Sequence, residues 1–190
     1  YIDIIQKSGI RMLNTVNDII EISRIETGEV NILLKEINLQ KQIESLILFF
    51  EQEAKEKGIK LSAAPCLEDD FKMITDESKI NSIFTNLIKN ALKFTDSGSI
   101  KFGFNLIKDM NNAVIQFYVE DTGIGIAKDQ EEIIFDVFRQ ADDSTTRKHD
   151  GVGLGLAICS EIANLLDGKI WVESQEGKGS TFFVTIPNKE

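Results

Sequence analysis

Histidine is almost absent from this chain: His149 is the single one in 190 residues. Histidine-based catalysis is therefore confined to one position, and that position reads as loop. Cysteine is scarce too. Cys66 and Cys159 lie far apart, with no C-x-x-C spacing, which excludes a zinc cage or a redox motif and suits a reducing cytosol. Long apolar runs are missing: a stretch such as Leu46 to Phe50 is far below the ~18 residues that a membrane span needs. Positive charge is in deficit, with 21 Lys+Arg against 31 Asp+Glu and a net charge of -10. That argues against nucleic acid, whose binding rests on cations neutralising phosphates. What remains, at about 49% apolar with glycine counted, is an ordinary folded protein. At this length it buries roughly 70% of its unfolded surface, as one domain or one domain with an appendage.

The chain opens on Tyr1 already in helical periodicity, with no capping signal before it, as expected of a piece of something longer. From Ile2 to about Ile25, apolar residues at 2, 5, 12, 16, 19 and 22, with 13 and 20 beside them, approximate a heptad seam that needs a partner. Gly28 ends that helix, and Val30 to Leu34 reads as a strand. A second amphipathic helix spans about Leu39 to Lys57, and strand-like runs follow at Ile59 to Ala63 and Phe71 to Thr75. Asp76 is the expected N-cap of a third helix reaching Phe94. Alternation at Ile100, Phe102, Phe104 and Leu106, then at Ile115, Phe117 and Val119, predicts a hairpin. Residues 122 to 152 are too irregular for a regular element, as is usual of a functional loop. A helix from Gly153 to Leu166 and strands near Lys169 to Ser174 and Ser180 to Pro187 complete an α+β two-layer sandwich, a sheet with three helices on one face. The first helix has no place in that core and reads as the appendage.

Three constellations carry chemistry. On the third helix, Ile80, Ile83, Phe84, Leu87 and Ala91 form a stripe, while Asn86, Asn90 and Lys93 fall within ~60° of one another beside it. Two interior asparagines are either locally bonded amides or neutral carbonyl ligands for a hard cation such as Mg²⁺, with Lys93 as a point charge for a phosphate. Asp121 continues the buried phase of Val119, so its carboxylate needs a donor. That donor is either an Asx turn onto Thr122 and Gly123 or the exocyclic amine of a ligand approaching over Gly123 and Gly125. Gly151, Val152, Gly153, Leu154, Gly155 and Leu156 open a helix, where exposed N–H groups make a phosphate site. Position 156 is Leu and a polar loop precedes the run, which excludes a Rossmann fingerprint; no Gly-x-x-x-x-Gly-Lys-Ser/Thr exists either.

In this order the motifs resemble those of sensor histidine kinases. The run from Asn86 to Thr95 is similar to the N box, Asp121 to Ile126 to the G1 box, Ile134 to Ala141 to the F box, and Gly151 to Leu156 to the G2 box. Glu176 to Phe182 is similar to the closing glycine box, and the opening helix, with Asn17 to Ile19 and Ser23 to Gly28, resembles the second helix of the dimerisation and phosphoacceptor bundle. The resemblance implies a Bergerat-type ATP-binding domain over 29–190 and a bundle helix over 1–28 whose companion helix is absent. It assigns adenine recognition to Asp121, Mg²⁺ to Asn90, assistance at the polyphosphate to Asn86 and Lys93, and flanking of the nucleoside to Phe94 and Ile126. Gly123 and Gly125 shape the base pocket, the N–H groups near Gly151, Gly153, Leu154, Gly155 and Leu156 hold phosphate oxygens, and Thr181 sits near the adenine edge. Residues 127 to 150 become an ATP lid whose Arg147 and Lys148 close over the γ-phosphate.

Two departures stand out: Asp150 and Val152 occupy positions where the family usually carries Gly and Thr or Ser. They are the support for a non-catalytic nucleotide-binding or dimerisation module. A hydrolytic relative of the gyrase, mismatch-repair or chaperone type is the other alternative, but those use a glutamate where this chain has Asn86, and a carboxamide is no general base. The resemblance further implies transfer of the ATP γ-phosphoryl group to a histidine outside this chain, since His149 lies in the lid. It also implies a response-regulator receiver domain as partner, a homodimeric full-length protein, and a cytoplasmic location, free or as part of a membrane-anchored sensor.

Overall fold

The computed structural model describes residues 2–64, 71–109, 112–137 and 153–188. In chain order they form α1 (Ile2–Glu26), β1 (Lys35–Asn38), α2 (Leu39–Glu56), β2 (Ile59–Ala63), β3 (Lys72–Thr75), α3 (Glu77–Phe94), β4 (Gly98–Asp109), β5 (Asn112–Asp121), α4 (Gly155–Leu165), β6 (Lys169–Gln175) and β7 (Gly179–Pro187). Two short 3₁₀ turns, Lys128–Gln130 and Ile133–Phe135, interrupt the loop after β5.

Five strands form one mixed sheet in the order β2-β4-β5-β7-β6; β2 runs parallel to β4, and the other pairs are antiparallel. One face carries the helices. Ile100 and Phe102 of β4, Ile115, Phe117 and Val119 of β5, and Phe182, Val184 and Ile186 of β7 are buried there, the period-2 phase that their alternation predicts. The stripe of α3 meets them, and the Phe84 ring lies 5.8 Å from that of Phe102 and 5.5 Å, edge-on, from that of Phe117. The two-layer α+β sandwich is the observed architecture.

Local chemistry sets the ends of α3. The Asp76 carboxylate accepts from Ser78 N (2.9 Å) and Lys79 N (3.2 Å), occupying donors that a first helical turn leaves free. Asn38 caps α2 in the same way, through Lys41 N at 2.9 Å.

Two expectations are corrected. Residues 30–34 are not a strand: no partner pairs with them, and the strand begins at Lys35 and pairs with β3. Val30 and Ile32 tuck against the core while Asn31 and Leu33 stay exposed, so the alternation records packing of a linker rather than a ladder. In place of a ladder, Leu33 N donates to the second oxygen of Asp76 at 2.9 Å. Nor is α1 wholly outside the core. Ile22 and Ile25 are buried in it, and Lys79 of α3 pairs with Glu21 at 3.0 Å. The earlier turns leave Ile2, Ile5, Met12, Leu13 and Val16 exposed, so the unpartnered part of the seam is the N-terminal part. Among the described residues, no helix is long and apolar enough to cross a membrane.

Candidate functional site

The site is built around α3. Asn86 and Asn90 lie one turn apart on it, both half-buried at the edge of the buried stripe. The Asn86 amide comes against the first residue of α4: a Cβ on Gly155 would sit 3.7 Å from Asn86 Cγ and Oδ1. Behind it, the Cys159 thiol donates to the Ile83 carbonyl at 3.7 Å and shares a hydrogen bond with Asn86. Burial outweighs that stabilising bond and pushes this thiol up to about 12, so Cys159 stays protonated and holds α4 and the asparagine side of α3 together. This role of Cys159 has no signal in the sequence, and only the packing of α4 on α3 reveals it.

At its other end α3 runs into the turn that follows β5. The Phe94 carbonyl accepts from Ile124 N at 3.2 Å, and Lys93 Nζ lies 4.5 Å from the Phe94 ring centroid. Asp121, at the end of β5, is 7% exposed, and its Oδ1 accepts from Gly123 N at 2.8 Å. The Asx turn is therefore real, and a further backbone bond comes from Ser180. Burial nevertheless outweighs both bonds and raises the Asp121 carboxyl above its ordinary range, with Glu120 adding to the rise. A carboxylate that keeps a desolvation deficit after its protein donors are counted still has room for a ligand donor.

The two glycines of this turn answer to space. Any side chain at Gly123 would collide with the Phe94 carbonyl, Asp121 Oδ1 and Thr95 Oγ1. Gly125 takes φ +71° and presses against the Gln175 carbonyl, so both conformation and contact select glycine. Ile126 follows, its N–H bonded to Ser174 Oγ at 2.8 Å and its side chain packed against the core.

Gly153 has φ +77°, Leu154 is buried, and α4 begins at Gly155 with no side-chain cap, so the first N–H groups of α4 are not taken by a capping side chain. Leu156 packs half-buried against the core. Arg147, Lys148 and Gly151 lie outside the described residues, as do Asp150 and Val152.

Thr181 is not brought to Asp121. The register pairs Asp121 with Ser180, while Thr181 pairs with Glu120 and Glu173 and belongs to the opposite face of the sheet. Ser180 is 6% exposed and shares the phase of Phe182 and Val184, so it is the hydroxyl beside the aspartate. The period-2 alternation of β7 carries the signal for Ser180.

A two-layer sandwich with a buried aspartate at one strand end, and an asparagine facing an uncapped helix start, defines a histidine-kinase-type ATP-binding catalytic domain. The family model "Histidine kinase-, DNA gyrase B-, and HSP90-like ATPase" matches residues 75–190, and the chain belongs to that family. It is 37% identical over 188 residues to the autoinducer 2 sensor kinase/phosphatase LuxQ of Vibrio vulnificus (strain CMCP6), covering 98% of this chain and 22% of that protein. The chain thus spans about a fifth of the length of that curated relative. Among solved structures, full-length ShkA in complex with AMPPNP superposes with a TM-score of 0.84 at 27% identity, covering 100% of this chain and 39% of that one. Histidine kinase ThkA in complex with the response regulator TrrA gives 0.75 at 26% identity, covering 100% of this chain and 51% of that one.

Proposed function

We propose that this chain binds ATP with Mg²⁺ and presents the γ-phosphoryl group to a histidine outside residues 1–190, for relay to a response-regulator aspartate. The observation that carries this is the reach of one helix. α3 sets Asn86 against the start of α4 and, two turns later, runs Phe94 into the Asp121–Gly123 turn. One end offers amides and a helix N-terminus to a polyphosphate, and the other offers a buried acceptor to an exocyclic amine. In this arrangement Asp121 takes the adenine amine, and Phe94 and Ile126 flank the nucleoside. Asn86, Lys93 and the N–H groups from Gly153 to Leu156 serve the phosphates. Arg147 and Lys148 are assigned to lid closure, and the backbone at Gly151 to the phosphates.

The donor set fits Mg²⁺. Among the described residues no group of three His, Cys, Asp or Glu gathers into a protein cage. Asn90 supplies a neutral oxygen, and phosphate oxygens and water complete the coordination that this cation prefers. When bound, the cation neutralises charge developing on the transferred group; the chain's own residues position that group in line with its acceptor. Asn86 is a carboxamide and no general base, so it activates no water, which favours transfer over hydrolysis. The domains divide as 1–28, a bundle helix, and 29–190, the ATP-binding unit.

The test is incubation with γ-labelled ATP and Mg²⁺, with and without a separately supplied phosphoacceptor helix. Acid-labile label is expected on the supplied helix only. Label on this chain alone, or release of phosphate at the same rate without the helix, refutes the proposal.

A further inference from the structure

Thr95, the C-cap of α3, is 2% exposed, and its hydroxyl has no hydrogen-bond partner among the described residues. A buried hydroxyl without a partner is costly, and such a group calls for an explanation. Its surroundings supply one. The position that a Cβ on Gly123 would take lies 2.9 Å from Thr95 Oγ1 and 2.8 Å from Asp121 Oδ1, so the two oxygens flank the same glycine without bonding to each other. They are held there by opposite sides of one junction: Thr95 by the end of α3, whose Phe94 carbonyl binds Ile124 N, and Asp121 by the end of β5.

We propose that Thr95 is a positioning residue for nucleotide binding, whose hydroxyl swings onto the Asp121 carboxylate when a nucleotide occupies the site. This inference rests on Asp121 being the adenine acceptor. The hydroxyl is sealed from solvent, so it acts through Asp121 rather than on the ligand. Asp121 has two backbone donors, from Gly123 and Ser180, and burial still raises its carboxyl. A third donor offsets that burial and keeps the group ionised, which is the form that accepts from an amine. Glu120, on the same strand, is the charged group acting on Asp121. The neighbouring β7 presents Ser180 and the end of α3 presents Thr95, both uncharged, while Lys93 lies over the Phe94 ring. The orphaned hydroxyl of the ligand-free protein is, in these terms, a small instability kept for use in the bound state.

Binding needs the carboxylate. Because the Thr95 hydroxyl bonds to it only in the bound state, loss of that hydroxyl lowers ATP affinity at neutral pH and leaves the onset of the acid limb, which the free protein sets, where it is. The experiment is titration calorimetry of ATP with Mg²⁺ from pH 5 to 8, with thermal unfolding of the ligand-free protein, on wild type, T95V, T95S and D121N. T95V is expected to bind ATP about tenfold more weakly at pH 7, to keep the wild-type onset of the acid limb, and to unfold at or above the wild-type Tm. T95S restores affinity. Unchanged affinity in T95V overturns the proposal, and so does an acid limb moved to higher pH, because the hydroxyl would then already serve the carboxylate of the free protein. So does a T95V protein with a lowered Tm or no fold, because the hydroxyl would then be supporting the ligand-free structure. D121N separates the two levels: if it binds ATP as wild type does, the adenine assignment fails and this inference with it. If D121N abolishes binding while T95V is silent, Thr95 alone is wrong.

Discussion

Asp76 is the most instructive residue to perturb, because one carboxylate holds two segments. One oxygen caps α3 through Ser78 N and Lys79 N and also accepts from the Ser78 hydroxyl at 2.8 Å; the other accepts from Leu33 N in the linker after α1. The side chain is 4% exposed. Loss of an N-cap costs ~1 kcal/mol, within a range of about 0.5–2. Stranding the partly buried Leu33 N–H adds a further ~1 kcal/mol. Asp76→Ala is therefore expected to lose about 2 kcal/mol, which in a domain of this size lowers Tm by roughly 4–8 °C. Burial pushes the Asp76 carboxyl up, but the bonds from Leu33, Ser78 and Lys79 outweigh it and hold the group below its ordinary value. A carboxyl depressed in the folded state contributes stability above its unfolded pKa, and that contribution is lost as pH falls through the folded value. The gap between wild type and D76A is thus expected to be full at pH 7 and to begin narrowing only below about pH 4, where the unfolded carboxyl takes up its proton. Thermal unfolding by circular dichroism across that range measures both effects. A D76A protein within 1 °C of wild type at pH 7, or a gap that narrows already between pH 7 and pH 5, refutes the assignment of both bonds to the ionised carboxylate.

Gly123→Ala places a methyl against the Phe94 carbonyl, Asp121 Oδ1 and Thr95 Oγ1; about 1–3 kcal/mol of overpacking and loss of ATP binding are expected, read by unfolding and by calorimetry. Because Asp76 and Gly123 engage opposite ends of α3, the D76A and G123A losses should add within ~0.5 kcal/mol in the double variant. Asn90→Ala is expected to leave the fold intact and to remove the Mg²⁺ dependence of ATP affinity; a variant that still binds ATP better with Mg²⁺ refutes the metal role.

The elements most legible in the sequence are those governed by neighbours in the chain. Asp76 as a cap, the α3 stripe from Ile80 to Ala91, and the alternation of β4 and β5 follow from local bonding and from periods of 3.6 and 2. Where two causes leave the same pattern, the sequence is ambiguous. Val30 and Ile32 alternate with exposed residues because a linker packs one side on the core, and no local signal distinguishes that from a strand awaiting a partner. At the site, Asp121 was readable through its phase, and Ser180 was equally so. Thr95 and Cys159 were not, since their roles depend on what α3 and α4 bring near them, Gly123 in one case and Asn86 in the other.

The placement of the site on α3 has an energetic logic. Eighteen residues at 1.5 Å each make a rod of about 27 Å. Its N-terminus is tied to the linker by Asp76 and to α1 by the Lys79–Glu21 pair, and its buried face is locked against the sheet by the Phe84 contacts. With its N-terminal end, its buried face and, through the Phe94 carbonyl, its C-terminal end so constrained, the edge bearing Asn86 and Asn90 is held by the fold rather than by a ligand. Under the proposed reading, little ordering entropy would remain to be spent on a polyphosphate, and a chain with a net charge of -10 would hold that anion with a few fixed dipoles in place of a basic surface.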